Sequence, residues 1–292
     1  MNFPTLSVVI PVFNVESYIG KCLDSVRDQS VPFTEVIVVD DGSTDSSFDI
    51  ISQYSGLPRV KIIRTKNNGL GPARNIGASA ASSEFLLFVD SDDFIHCDLV
   101  SSFLAVINFN SNIDLFAFSS SKIDDSLNED SMSAFCSYPF DECSRADIIF
   151  LNLIKSKRFC SSACTYVFRK SLIDWDSKGF QNIVHEDEEF TQCLYYKSRY
   201  VYLSPKVLYF YRLRLGSIMR ATSFSIKRFL LSRYGYLIAL SSCLYLMIRS
   251  LGRLRLFYAL FLRSRYLSYH AFFPFVTVFI KVLASPKLLF IR

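Results

Sequence analysis

The sequence predicts an α/β fold: a mostly parallel sheet flanked by helices, followed by a basic, aromatic helical extension. Three observations carry this reading. Short apolar runs alternate with helix-period segments in the first third of the 292 residues. Two acid clusters, Asp40-Asp41 and Asp90-Ser91-Asp92-Asp93, stand where two of those runs end. The charge is also split. The net +5 hides residues 1–189 with all 27 Asp and Glu against 15 Lys and Arg, and residues 190–292 with 17 Lys and Arg and no acid.

The elements follow in order. The run 6-LSVVIPV-12 is β-branched, closes on Pro11 and reads as a buried strand. Asn14 is a good N-cap, and Val15, Tyr18, Ile19, Cys22, Leu23 and Val26 share one helix face. A second strand, 35-EVIVVDD-41, ends in two acids and Gly42, and Ser43–Tyr54 suits a helix. The third strand is 60-VKIIR-64. Residues 67-NNGLGPARNIGASAA-81 read as a glycine-rich loop opening a helix, with Pro72 in its first turn. The fourth strand is 85-FLLFV-89. Such alternation implies right-handed crossovers, and ligands of such sheets sit beyond the strands' carboxyl ends. Both acid clusters lie there. Farther on, residues 119–143 read as a Ser- and Asp-rich loop and 145–155 as a helix. Residues 163–173 read as a strand with a helix after it, and a helix opens near 185-HEDEEF-190.

Composition bounds the alternatives. Half the chain is hydrophobic and 15% aromatic, ample for a packed core. The N-terminus has no basic region or small-residue cleavage site, so no signal peptide is expected. The eight cysteines, without a Cys-x-x-Cys pair, are expected to be reduced core residues rather than disulfides or zinc ligands. No segment reaches the ~18–20 uninterrupted apolar residues of a membrane span.

The acids define the chemistry. Asp90-x-Asp92 at a strand end offers hard oxygens that suit Mg²⁺ or Mn²⁺, or else forms a solvated turn with capping acids. Asp41-Gly42-Ser43 is either a tight turn with a helix cap, or a carboxylate facing a base or ribose. The loop 69-GLGPARN-75 is either a plain strand-to-helix connection, or it brings Arg74 near a phosphate or base. The usual dinucleotide and P-loop glycine patterns are absent.

The succession 8-VVIPVFN-14, 38-VVDDGSTD-45, 68-NGLGPARN-75, 88-FVDSDD-93, 186-EDEEF-190 and 209-YFYRLRLGSI-218 resembles the inverting family 2 glycosyltransferases of GT-A fold. The resemblance implies a catalytic domain over residues 1–218. It places Pro11 beside the nucleotide base, Asp41 on that base and Arg74 near the nucleotide. Asp92 becomes the direct metal ligand with Asp90 beside it and nearer the ribose, and Asp187 the catalytic base; Asp93 has no role assigned. The expected activity is transfer of one sugar from a nucleotide-sugar donor, expected to be a UDP-sugar, to a lipid-linked saccharide of a bacterial surface polysaccharide. The Gln-x-x-Arg-Trp motif of processive members is missing, as is the Lys that many relatives carry near Tyr166 or Val167.

Two rivals fit less well. A sugar-nucleotide nucleotidyltransferase needs a glycine-rich loop after the first strand, which 11-PVFNVES-17 lacks. A receiver-like Mg²⁺-binding module needs acids after that strand and a shorter domain. The extension, residues 219–292, sets Arg and Lys among Leu, Phe and Tyr, densest in 249-RSLGRLRLFYALFLRSR-265. It is read as docking on an anionic membrane surface, not on nucleic acid, which places the enzyme on the cytoplasmic face of the cell membrane.

Overall fold

The computed structural model describes residues 4–124, 133–175, 179–180 and 186–213. One ten-stranded sheet organises them. Its first half is parallel, ordered β3 (Val60–Arg64), β2 (Glu35–Asp40), β1 (Leu6–Val12), β4 (Phe85–Phe88). All seven side chains of β1 are buried. A strand covered on both faces needs continuous apolar character rather than alternation, as LSVVIPV supplies. Helix α1 (Ile19–Arg27) buries Ile19, Cys22, Leu23 and Val26, the predicted face. Helix α2 (Ser47–Ser52) follows β2, and α3 (Leu70–Ala80) packs on β1 and β2.

Beyond β4 the sheet is mixed. β9 (Tyr166–Arg169) runs antiparallel to both β4 and β6 (Ile113–Asp124). β10 (Tyr200–Leu213) runs parallel to β6, and β5 (Phe94–Ile95), β7 (Ser133–Cys136) and β8 (Glu142–Arg145) add antiparallel edges. The sheet is thus parallel through its first four strands and again between β6 and β10, with antiparallel strands joined to it. Most of the described residues in the expected loop over 119–143 are strand, since β6 runs to Asp124 and β7 and β8 follow. The serines misled because Ser119, Ser120 and Ser121 are buried in the sheet. Asn14 does not cap α1, which starts five residues later. It adopts φ +51° and its Oδ1 accepts the Thr44 N–H at 2.8 Å.

Helices α4 (Leu99–Phe109), α5 (Ala146–Lys155) and α6 (Glu186–Lys197) complete the layers. The first turn of α6 is four acids, which suits the positive end of a helix. Its buried face enters an aromatic cluster: Phe190 stacks on Phe180 with ring centroids 3.9 Å apart and meets Phe88, Phe168 and Trp175. The seven cysteines among the described residues are free thiols. No helix among them is long and apolar enough to cross a membrane. The extension at 219–292 lies outside the described residues, as do residues 214–218 of the last matching block.

Candidate active site

A cleft of about 300 Å³ opens at the carboxyl ends of β1, β2 and β4. Pro11, Asp41, Asp90 and Asp92 all line it, joined by Phe13, Leu70 and Tyr211. Four of the six residues singled out in the sequence thus meet at one opening, although they are spread over 82 positions. Phe13 is 43% exposed at the rim, where a flat ring can cover a planar ligand. A larger cleft of about 340 Å³ lies elsewhere, lined by apolar residues such as Leu23, Phe33 and Val60, and holds none of the candidate acids.

Asp41 is held by the loop it faces. Its carboxylate accepts the Gly69 N–H at 2.8 Å, the Asn68 N–H at 3.0 Å and the Thr65 hydroxyl at 2.9 Å. Three donors on one carboxylate fix its orientation at the cleft wall. The turn behind it needs Gly42, whose φ is +77° and whose added Cβ would sit 3.0 Å from Asn67 N.

The turn after β4 is fastened from β10. Asp93 accepts the Tyr209 hydroxyl at 2.5 Å and the Arg212 N–H at 2.7 Å. Arg212 Nε donates to the Asp92 carbonyl at 2.9 Å, and the Asp90 N–H reaches Tyr209 Oη at 3.3 Å. Burial, reinforced by the charges of Asp90 and Asp92, pushes the Asp93 carboxyl well above its ordinary range. Asp93, left without a role by the sequence, is therefore a clamp on the turn. Asp92 is half-buried on the cleft wall beside Asp90.

A divalent cation fits this donor set. Two hard carboxylates border the cleft, Asp90 sharing Arg74 and Asp92 beside it, and the third is engaged with Tyr209 and Arg212. Among the described residues they do not converge as three ligand atoms on one point. The remaining coordination positions would then fall to water and a ligand's own oxygens. The one three-ligand grouping among the described residues, His96-Cys97-Asp98, is away from the cleft lining, and His96 Nδ1 already accepts the Asp98 N–H at 3.1 Å.

Arg74 is placed differently from the other candidates. It is 1% exposed, does not line the cleft, and ion-pairs with Asp187 at 2.7 Å, Asp90 at 2.8 Å and Glu186 at 3.2 Å. Burial works against its charge, but the carboxylates of Asp187 and Asp90 outweigh it and hold the guanidinium firmly protonated. Asp187, in the first turn of α6, stays 26% exposed and also lies 3.4 Å from the Ala163 N–H. Burial raises its carboxyl above the ordinary aspartate range against the pull of Arg74, which makes it a stronger proton acceptor. Burial, with Asp187 beside it, pushes Glu186 up to about 7. Sequence reasoning missed Phe13, Tyr211, Tyr209 and Arg212. Their only signal was membership of matching blocks.

The family model for glycosyl transferase family 2 matches residues 7–175. The chain belongs to that family. EpsH of Bacillus subtilis (strain 168) is 30% identical over 227 residues, 75% of this chain and 64% of EpsH. Glycosyltransferase GlyA of Streptococcus pneumoniae is 32% identical over 233 residues, which are 74% of this chain and 31% of GlyA. The chain thus spans less than two thirds of either relative. The crystal structure of Staphylococcus aureus TarS 1-349 in complex with UDP-GlcNAc superposes with a TM-score of 0.67 at 26% identity, covering 82% of this chain and 66% of TarS 1-349. This family 2 chain therefore shares the GT-A fold of that structure.

Proposed function

We propose that this family 2 protein is an inverting glycosyltransferase that moves one sugar from a nucleotide-sugar donor, a UDP-sugar, to a lipid-linked saccharide in bacterial surface polysaccharide synthesis. The observation that carries the reading is the cleft itself. Pro11, Asp41, Asp90 and Asp92 border one opening, and Asp187 stands behind it on the other side of Arg74. A solved relative with UDP-GlcNAc in the same fold supports the donor class.

In this reading the nucleotide base enters between Pro11 and Phe13, and the carboxylate of Asp41 accepts hydrogen bonds from it. Asp90 faces the ribose and, with Asp92, would hold Mg²⁺ or Mn²⁺. Such a cation, when bound, neutralises charge on the departing diphosphate. Tyr209, Arg212 and Asp93 keep the turn that bears both carboxylates in place, so little is reorganised as the donor arrives. Asp187 takes the proton from the acceptor hydroxyl as that oxygen attacks the anomeric carbon. Attack opposite the leaving group inverts that carbon in a single displacement.

A panel of nucleotide sugars with Mn²⁺ and a lipid-linked saccharide tests this. Transfer is expected for one donor and lost by at least ~10²-fold in Asp187→Asn, the range of general-base catalysis. Asp92→Asn should lose metal-dependent nucleotide binding as well. Full transfer by Asp187→Asn would remove Asp187 from the mechanism.

A further inference from the structure

We propose that Arg74 and Asn75 are positioning residues that tie the donor cleft to the base, so that a ligand engaging Asp90 changes how Asp187 is held. The inference rests on the donor and base roles proposed above.

The two residues are consecutive on α3 and hold two ends of one segment. The Arg74 fork reaches different elements with its two ends: Nη2 meets Asp90 after β4, and Nη1 meets Asp187 and Glu186 on α6. Arg74 Nε makes no hydrogen bond among the described residues, so the hydrogen bonds that orient the fork are those of its two ends to the carboxylates. Asn75 clasps the backbone of Phe180: its Nδ2 donates to the Phe180 carbonyl at 2.8 Å and its Oδ1 accepts the Phe180 N–H at 2.7 Å. This clasp requires Gly179, where an added Cβ would lie 2.2 Å from Asn75 Oδ1. Phe180 in turn packs 5.1 Å from the Arg74 guanidinium and stacks on Phe190 of α6.

One cation thus serves three carboxylates, and one of the three borders the cleft. A divalent cation or a donor that draws on the Asp90 carboxylate weakens its hold on Nη2. The guanidinium charge then falls more fully on Asp187 and Glu186, tightening the first turn of α6. Such a link would fix the position of Asp187 once a donor is present, while the nearer guanidinium lowers its basicity. Lysine keeps the charge but not the bridge, because one ammonium cannot present a planar fork to both elements.

The test compares Arg74→Lys and Asn75→Ala with the wild-type chain. UDP, GDP, CDP and dTDP, each with Mn²⁺, are titrated by calorimetry, and sugar transfer is followed separately. Both variants should bind the accepted nucleotide within about threefold of wild type and lose at least tenfold in kcat with little change in donor KM. Equal losses in nucleotide affinity and turnover would make Arg74 a donor-binding residue and overturn the inference, as would unchanged turnover. Should the variants not fold, the wild-type chain decides by hydrogen exchange. Amides of residues 186–190 should exchange at least twofold more slowly once nucleotide and Mn²⁺ bind. Bound nucleotide without that slowing overturns the link alone, whereas no binding of any nucleotide overturns the donor reading and the link with it.

Discussion

Glu186 and Asp187 are adjacent acids with one shared cation and different duties. Both carboxyls are raised by burial, Glu186 to about 7 from an ordinary value of 4.5. A folded state that raises a carboxyl holds its proton more tightly than the unfolded chain. The stability this confers is present at low pH and lost as pH climbs through about 4.5 to about 7. Glu186→Gln should therefore gain stability relative to wild type at pH 8 but not at pH 4, measured by urea melts at both. A smaller gain at pH 8 than at pH 4 would contradict the burial argument. Tyr209 gives a second test. Its hydroxyl serves Asp93 and the Asp90 N–H, both in the turn that carries the candidate metal ligands. Tyr209→Phe leaves those buried groups short of a partner, and about 1–3 kcal/mol of stability should be lost. Donor KM should rise with it, because the Asp90–Asp92 turn is no longer clamped.

At the scale of elements, the site depends on α6 standing in register with β4. Phe190 lies one turn beyond Asp187, is 3% exposed and stacks on Phe180. Truncation to alanine removes that stack and opens a cavity, at a cost of about 3–5 kcal/mol. Chemical denaturation of Phe190→Ala should show this, and its turnover should fall more than its nucleotide affinity. Equal falls would mean that the aromatic cluster holds the cleft and not the base. The first-half elements were legible because each satisfies a local rule. Strands β1 and β3 coincide with their apolar runs, and α3 begins where Gly69 ends the loop before Pro72. Strands β6 and β10 were not legible. Their serines, tyrosines and lysines are spread on both faces, and their strand state comes from pairing with each other along eleven positions.

For the whole molecule, the charge split suggests a division of labour. The described residues hold the acids of the cleft, and the basic extension begins after them. If residues 219–292 dock on an anionic membrane, full-length protein should float with vesicles containing anionic lipid and be released by salt. A chain of residues 1–218 should bind nucleotide like the full chain yet stay with the soluble fraction. Equal flotation of the two chains would sink the membrane role of the extension and leave the donor cleft untouched.

By itself the sequence determined that the first four strands would form a parallel layer and that Asp41, Asp90 and Asp92 would stand at their carboxyl ends. Apolar periodicity and strand termination are local properties, and parallel crossovers carry all those ends to one side. Only the tertiary structure decided that Asp93 would face Tyr209 and Arg212, more than a hundred residues away, rather than the cleft. It also made Arg74 a buried bridge between Asp90 and Asp187. A buried guanidinium must find carboxylates, and which ones it finds is set by how α3, β4 and α6 pack together.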